Sequence, residues 1–245
     1  MEQRRDSATA YIILADGFET IEALTPLDVL RRCGVEVTTI SLNKTRSVRS
    51  SHGVTVEADA TMEEFMHNCN CCASAIGTGT NSSIAGSSSS ASSTGTSTTG
   101  SRSTTAGNAG TSSSAGSSTT ASSAVRQALI LPGGYPGYKN LCESAEVGAL
   151  ITQFHKEGKL LCAICGAPTA LKANQICRGA AITCHTSVKE ELSDYYSILS
   201  SAVVKYMNII TGIGAGRSLD FAFAIAESLT SKEKVEEIKA KMEII

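Results

Sequence analysis

Short apolar runs alternate with amphipathic stretches along most of this chain. Residues 11–15, Tyr-Ile-Ile-Leu-Ala, are uniformly apolar, as a strand covered on both faces requires. Apolar residues then recur at helical spacing over 19–32, and Gly34 predicts the helix stop. A second strand is predicted over 35–42, a shorter strand or hairpin over 48–57, and a brief helix over 60–67. The run 128–131 reads as a third buried strand ending at Pro132-Gly133-Gly134. Helices over about 141–157 and 168–176 flank the strand that leads to Cys165. Strands near 180–184 and 203–211 and helices over 218–229 and 232–242 complete the series. This order predicts an α/β fold with a mainly parallel sheet covered by helices on both faces. Ligands in such sheets bind at the carboxyl ends of the strands.

One stretch breaks the pattern. Residues 73–124 are almost entirely Ser, Thr, Gly, Ala and Asn, with Arg102 the only charge. Such a composition cannot build a core and predicts a disordered Ser/Thr/Gly-rich insertion. The expected organisation is an N-terminal tail over 1–9 and one α/β domain over 10–245, interrupted by 73–124. About 190 residues remain for the domain, ample for a substantial core.

Charge and cysteine usage narrow the function classes. A net charge of -2, with no basic clusters, gives no footprint for nucleic acid. No apolar run approaches the ~20 residues of a membrane span. The first apolar run stops at Asp16, too soon for a signal peptide, so a cytoplasmic location is expected. Nine cysteines without a secretion signal imply reduced thiols. His67, Cys69, Cys71 and Cys72 lack the spacing of a metal set, so neither a metal nor a cofactor is expected.

The densest chemistry lies in Leu160-Leu161-Cys162-Ala163-Ile164-Cys165-Gly166-Ala167-Pro168. A strand meets a tight turn and then a helix whose first turn suits Pro168, the arrangement of a nucleophile elbow. The adjoining helix N-terminus is expected to favour the Cys165 thiolate and lower its pKa. Cys162 and Cys165 form a Cys-x-x-Cys, but residues three apart on a strand face opposite sides, so no redox pair is expected. Gly133-Gly134 and the N–H after the nucleophile offer donors for an oxyanion. With no side chain at 134 to block approach, Gly134→Val is expected to reduce turnover without unfolding the protein. Glu19 and Glu22 share a face at the start of their helix. Next to a thiolate, burial and like charge would keep such a carboxyl protonated and able to donate to sulfur.

Together these segments resemble the DJ-one/ThiJ/PfpI superfamily, in the branch of the parkinsonism-associated protein deglycase and its bacterial ThiJ relatives. The resemblance covers about residues 10–72 and 125–243. It rests on Ala15-Asp16-Gly17-Phe18-Glu19-Thr20-Ile21-Glu22-Ala23, Ser51-His52-Gly53-Val54, Leu131-Pro132-Gly133-Gly134, Ala163-Ile164-Cys165-Gly166-Ala167-Pro168-Thr169 and Ile210-Thr211-Gly212-Ile213-Gly214-Ala215-Gly216. It implies a flavodoxin-like sandwich, usually homodimeric. Cys165 would be the oxidisable nucleophile, Glu22 its protonated partner, and Gly134 and Gly166 the oxyanion N–H donors. His185 matches the histidine near that cysteine. Gly166 stands where the peptidase branch carries a histidine, and Arg217 replaces a threonine usual in the Gly-rich loop.

The implied function is cysteine-dependent conversion of a small dicarbonyl, methylglyoxal to lactate, or removal of the early adducts it forms with amines and thiols. The alternative is a redox-sensing protein or chaperone that uses Cys165 oxidation, and a PfpI-type peptidase is the third reading. Lengthening a loop from about 10 to about 50 residues costs only about 1.5 kcal/mol of closure entropy. Replacing residues 73–124 by a short loop should therefore shift the thermal midpoint by no more than a few degrees. A variant that is insoluble or unfolded would overturn the domain assignment.

Overall fold

A computed structural model of the chain describes residues 8–68 and 126–244. The expected insertion at 73–124, most of the 1–9 tail, and Cys69, Cys71 and Cys72 lie outside the described residues. The first half runs β1 (Thr9–Leu14), α1 (Thr20–Arg32), β2 (Glu36–Ser41), β3 (Ser47–Arg49), β4 (Thr55–Glu57), β5 (Ala60–Thr61) and α2 (Met62–Asn68). Then follow β6 (Gln127–Leu131), α3 (Gly137–Glu143), α4 (Ala145–Lys156), β7 (Leu160–Ile164), α5 (Pro168–Ala173) and β8 (Ala181–Ile182). The last elements are α6 (Lys189–Ser193), β9 (Ser197–Ile198), β10 (Val203–Tyr206), β11 (Ile209–Gly212), α7 (Ser218–Leu229) and α8 (Lys232–Lys241).

Seven strands form the main sheet in the order β10-β11-β7-β6-β1-β2-β5. Every pairing is parallel except that of β10 with β11. Alternation along the central strands explains the two apolar layers. Ile13, Leu129, Leu131, Leu161 and Ala163 face one layer, covered by α2, α3, α4 and α5. Ile12, Leu14, Ile130, Cys162 and Ile164 face the other, covered by α1, α7 and α8. Strands buried on both faces need the unbroken apolar runs seen in the sequence. The expected flavodoxin-like α/β sandwich is therefore the fold observed. Among the described residues no helix is long and apolar enough to cross a membrane.

Several expected elements are divided. The predicted helix 141–157 breaks at Ser144, whose extended backbone and side chain cap α4 by accepting the Val147 N–H. The predicted strand 203–211 is an antiparallel hairpin, β10 and β11, turning through Met207 in a left-handed conformation. Residues 180–184 supply only the two-residue β8, paired with β9 outside the main sheet. The 48–57 segment is the hairpin of β3 and β4, as one expected alternative had it.

Ile130 is fully buried at the centre of the sheet, opposite Ile12 and Cys162 on its two neighbours. Ile130→Ala should cost about 2–5 kcal/mol through lost burial and the cavity left behind, measured by chemical denaturation. A loss under about 1 kcal/mol would show that this layer repacks freely.

Candidate active site

Cys165 stands where β7 ends, with φ +64, a left-handed conformation that disfavours a residue carrying Cβ. Hydrogen bonds hold it there. Its N–H donates to the Gly212 carbonyl at 2.9 Å, and its carbonyl accepts the His185 N–H at 2.9 Å. Pro168 opens α5 at once, so the strand–turn–helix elbow expected from the sequence is present. The left-handed turn also reverses the strand alternation. Cys165 packs against the same apolar layer as Cys162, rather than the opposite one. Cys162 is fully buried, however, and burial pushes its thiol far above the usual range.

Glu19 and Glu22 separate into two roles. Glu19 caps α1, its Oε2 accepting the Glu22 N–H at 2.9 Å, and its Oε1 lies 3.7 Å from His52 Nδ1. Glu22 is 0% exposed. Its Oε2 accepts the Gly133 N–H at 2.9 Å, while Oε1 has no nitrogen or oxygen partner, and the Cys165 thiol is the neighbour that addresses the carboxyl. Burial raises this carboxyl to about 7, against the lowering effect of the Cys165 and Gly133 hydrogen bonds.

Gly133 makes this approach possible. A Cβ on it would lie 2.6 Å from both Cys165 Cβ and Glu22 Oε2. Its N–H serves Glu22, whereas the Gly134 and Gly166 N–H groups are both directed at the Cys165 sulfur. Gly134 has φ +88, and a Cβ there would lie 2.3 Å from the Glu19 nitrogen and 2.5 Å from the Gly17 carbonyl oxygen. The expectation that Gly134→Val spares folding is thus corrected, because the added side chain meets main chain that cannot yield. Gly166 packs on Tyr138, whose nearest ring carbon would stand 2.7 Å from an added Cβ. Tyr138 carried no sequence signal, since only the fold brings α3 over the elbow.

The expected lowering of the Cys165 pKa is also corrected. Burial and the Glu22 charge push the thiol up, to about 12, and the Gly134 and Gly166 N–H groups only partly offset this. A six-residue helix with no side-chain cap offers little against such desolvation, since helix-end effects amount to about 0.3–1 kcal/mol. A thiolate here requires a neutral Glu22.

His185 sits at the rim. Its main chain is tied to Cys165, but its exposed ring accepts the Ser187 N–H on Nδ1 at 3.2 Å, with Ser187 Oγ at 2.8 Å. Its Cδ2 faces Gly214, and no described hydrogen bond joins the ring to Cys165 or Glu22. Arg217 is exposed and lies 3.5 Å from Asp220. Among the described residues no three His, Cys, Asp or Glu side chains gather as a metal set.

The sequence profile of the DJ-1/PfpI family matches residues 8–77 and 84–228. Protein dj-1beta of Drosophila melanogaster is 29% identical over 233 residues, 95% of this chain and 95% of that protein. The crystal structure of Drosophila melanogaster DJ-1beta superposes with a TM-score of 0.72 at 28% identity, covering 98% of this chain and 99% of that one. Glutathione-independent glyoxalase DJR-1.2 of Caenorhabditis elegans is 38% identical over 107 residues, 43% of this chain and 56% of that protein. With the family profile matched along most of its length, the chain belongs to the DJ-1/PfpI family.

Proposed function

We propose that this protein is a cysteine-dependent enzyme that converts a small dicarbonyl, methylglyoxal to lactate, or removes its early adducts from amines and thiols. The observation that carries the reading is the fully buried Glu22 carboxyl, raised to about 7, facing the thiol of a left-handed elbow cysteine. A group titrating near neutrality beside a nucleophile suits general acid and base work. The glyoxalase name of the Caenorhabditis elegans relative supports the substrate class.

In the proposed reaction Cys165 sulfur bonds to the aldehyde carbon, and its proton passes to the new alkoxide, held by the Gly134 and Gly166 N–H groups. Glu22 then moves the remaining carbon-bound proton to the neighbouring carbon through an enediol. The aldehyde carbon is oxidised and the ketone carbon reduced, so no external oxidant is needed. Water hydrolyses the resulting lactoyl thioester and restores the thiol. His185, at the rim, is proposed to relay protons to solvent.

A second reading follows from the same carboxyl. A neutral Glu22 can donate a hydrogen bond to an oxygen of a Cys165 sulfinate, which suits a redox-sensing protein. Cys165→Ser should abolish both lactate formation and sulfinate formation. Glu22→Gln keeps a donor but cannot transfer protons, so turnover should fall about 100-fold or more while Cys165 still oxidises under mild peroxide. Wild-type protein that forms no lactate and removes no adduct, yet oxidises at Cys165, would sink the enzymatic reading. Oxidation of Glu22→Gln is followed by mass spectrometry of the Cys165 peptide.

The Glu22 proton also sets a stability slope. Between pH 4.5 and about 7 the unfolded carboxyl is ionised and the folded one is not, so the folded state holds the extra proton. Stability from this group is greatest below pH 4.5 and is lost as pH rises through 7. Glu22→Gln removes the slope, so its thermal midpoint relative to wild type should rise from pH 5 to pH 8. A difference that stays constant would mean that Glu22 is ionised throughout.

A further inference from the structure

A thiol–imidazole pair lies away from the elbow. His155, in the last turn of α4, places Nε2 3.8 Å from the Sγ of Cys177, which follows α5. The other ring nitrogen, Nδ1, is buried without a partner, so the sulfur is the only described partner of the ring. Cys177 has φ +47, and Gln175, two residues earlier, has φ +56. Non-glycine residues in this region are strained, and such outliers concentrate at functional positions.

The loop cannot swing to relieve the strain. Ile176 between them is buried, donates its N–H to the Leu171 carbonyl at 3.0 Å, and accepts the Tyr196 hydroxyl at 2.7 Å. The Cys177 carbonyl accepts the Ala180 N–H at 3.0 Å. The thiol is thus fixed against the imidazole while remaining partly exposed. Burial pushes the thiol up, so its proton stays on sulfur at rest.

A basic residue follows each member of the pair in sequence, Lys156 after His155 and Arg178 after Cys177. Arg178 lies 5.5 Å over the Tyr195 ring, next in sequence to the thiol. A groove of about 680 Å³ opens along α4 and stops short of the pair itself, its walls including Glu143, Thr152 and Lys156, and Ala173 and Asn174 just before the Cys177 loop. Glu157 on the same wall is engaged by Gln153 and Lys159.

We propose that Cys177 and His155 form a site of reversible mixed-disulfide formation with a low-molecular-weight disulfide that carries carboxylates, of the glutathione-disulfide type. His155 Nε2 takes the Cys177 proton as Sγ attacks one sulfur of the disulfide. The bond between the two small-molecule sulfurs breaks, a Cys177 disulfide forms, and the departing thiolate receives the proton from His155. Two electrons pass from the protein thiol to the small disulfide, and the reverse exchange with excess small thiol restores Cys177.

The test uses the full chain carrying Cys165→Ser, so that the elbow thiol does not compete, with oxidised glutathione as the probe and site-resolved mass spectrometry as the readout. Cys177 should acquire glutathione at least about tenfold faster in the folded protein than in the same chain denatured. His155→Leu should slow this by about tenfold or more with the fold retained, and His155→Gln, a polar replacement that cannot take a proton, should slow it equally. Cys177→Gly, which suits the left-handed backbone, should fold and lose the fast phase. Two outcomes overturn the proposal: a folded-state rate at Cys177 no higher than in the denatured chain, or a rate unchanged in folded His155 variants.

Discussion

Between Glu22 and Cys165 there is room for one negative charge. Two unit charges 4 Å apart repel by about 4 kcal/mol even at an effective dielectric of 20, well above what a short helix end returns. Ionising the sulfur therefore means keeping the proton on the carboxyl, and the reverse. The pair behaves as a single acid whose proton has two possible homes. Every other feature of the site serves that closeness: Gly133 has no side chain to wedge them apart, its N–H orients the carboxyl, and the buried α1 face keeps water away.

The sheet is what makes the meeting possible. Glu22 follows β1, Gly133 follows β6, Cys165 follows β7 and Gly212 ends β11. The first three of these strands are neighbours, and β11 pairs with β7 on its far side, so their carboxyl ends converge although Glu22 and Gly133 are 111 positions apart in the chain. The strands hydrogen-bond in parallel register, and each apolar alternation sends one residue to each layer. The site inherits its rigidity from a core packed on both sides.

Much of this was legible from the residues, but unevenly. Cys-Gly-Ala-Pro after an apolar run marks an elbow because small residues and an early proline have few other uses there. Spacing alone could not part Glu19 from Glu22, since residues three apart share a helix face, and only the capping geometry sends one to the helix end and the other inward. The residues alone offered both Gly133 and Gly134 as donors and only the family resemblance singled out Gly134, whereas the fold turns the Gly133 N–H to the carboxyl and the Gly134 N–H to the sulfur. The reversed alternation at Cys165 and the raised thiol were invisible for a common reason. Both arise from contacts distant in sequence. The β10–β11 hairpin was hidden because Met207 turns it without glycine or proline, while Ser144 gave a readable cap signal within the predicted helix.

The left-handed backbone at Cys165 has a bearing on how this protein can be engineered. A side chain in that conformation costs on the order of 1 kcal/mol or more, and glycine adopts it without the clash. A library selected for heat resistance alone would tend to replace Cys165, gaining robustness as it loses the elbow thiol. Stabilised forms of this fold have to be sought with the thiol's reactivity scored alongside survival.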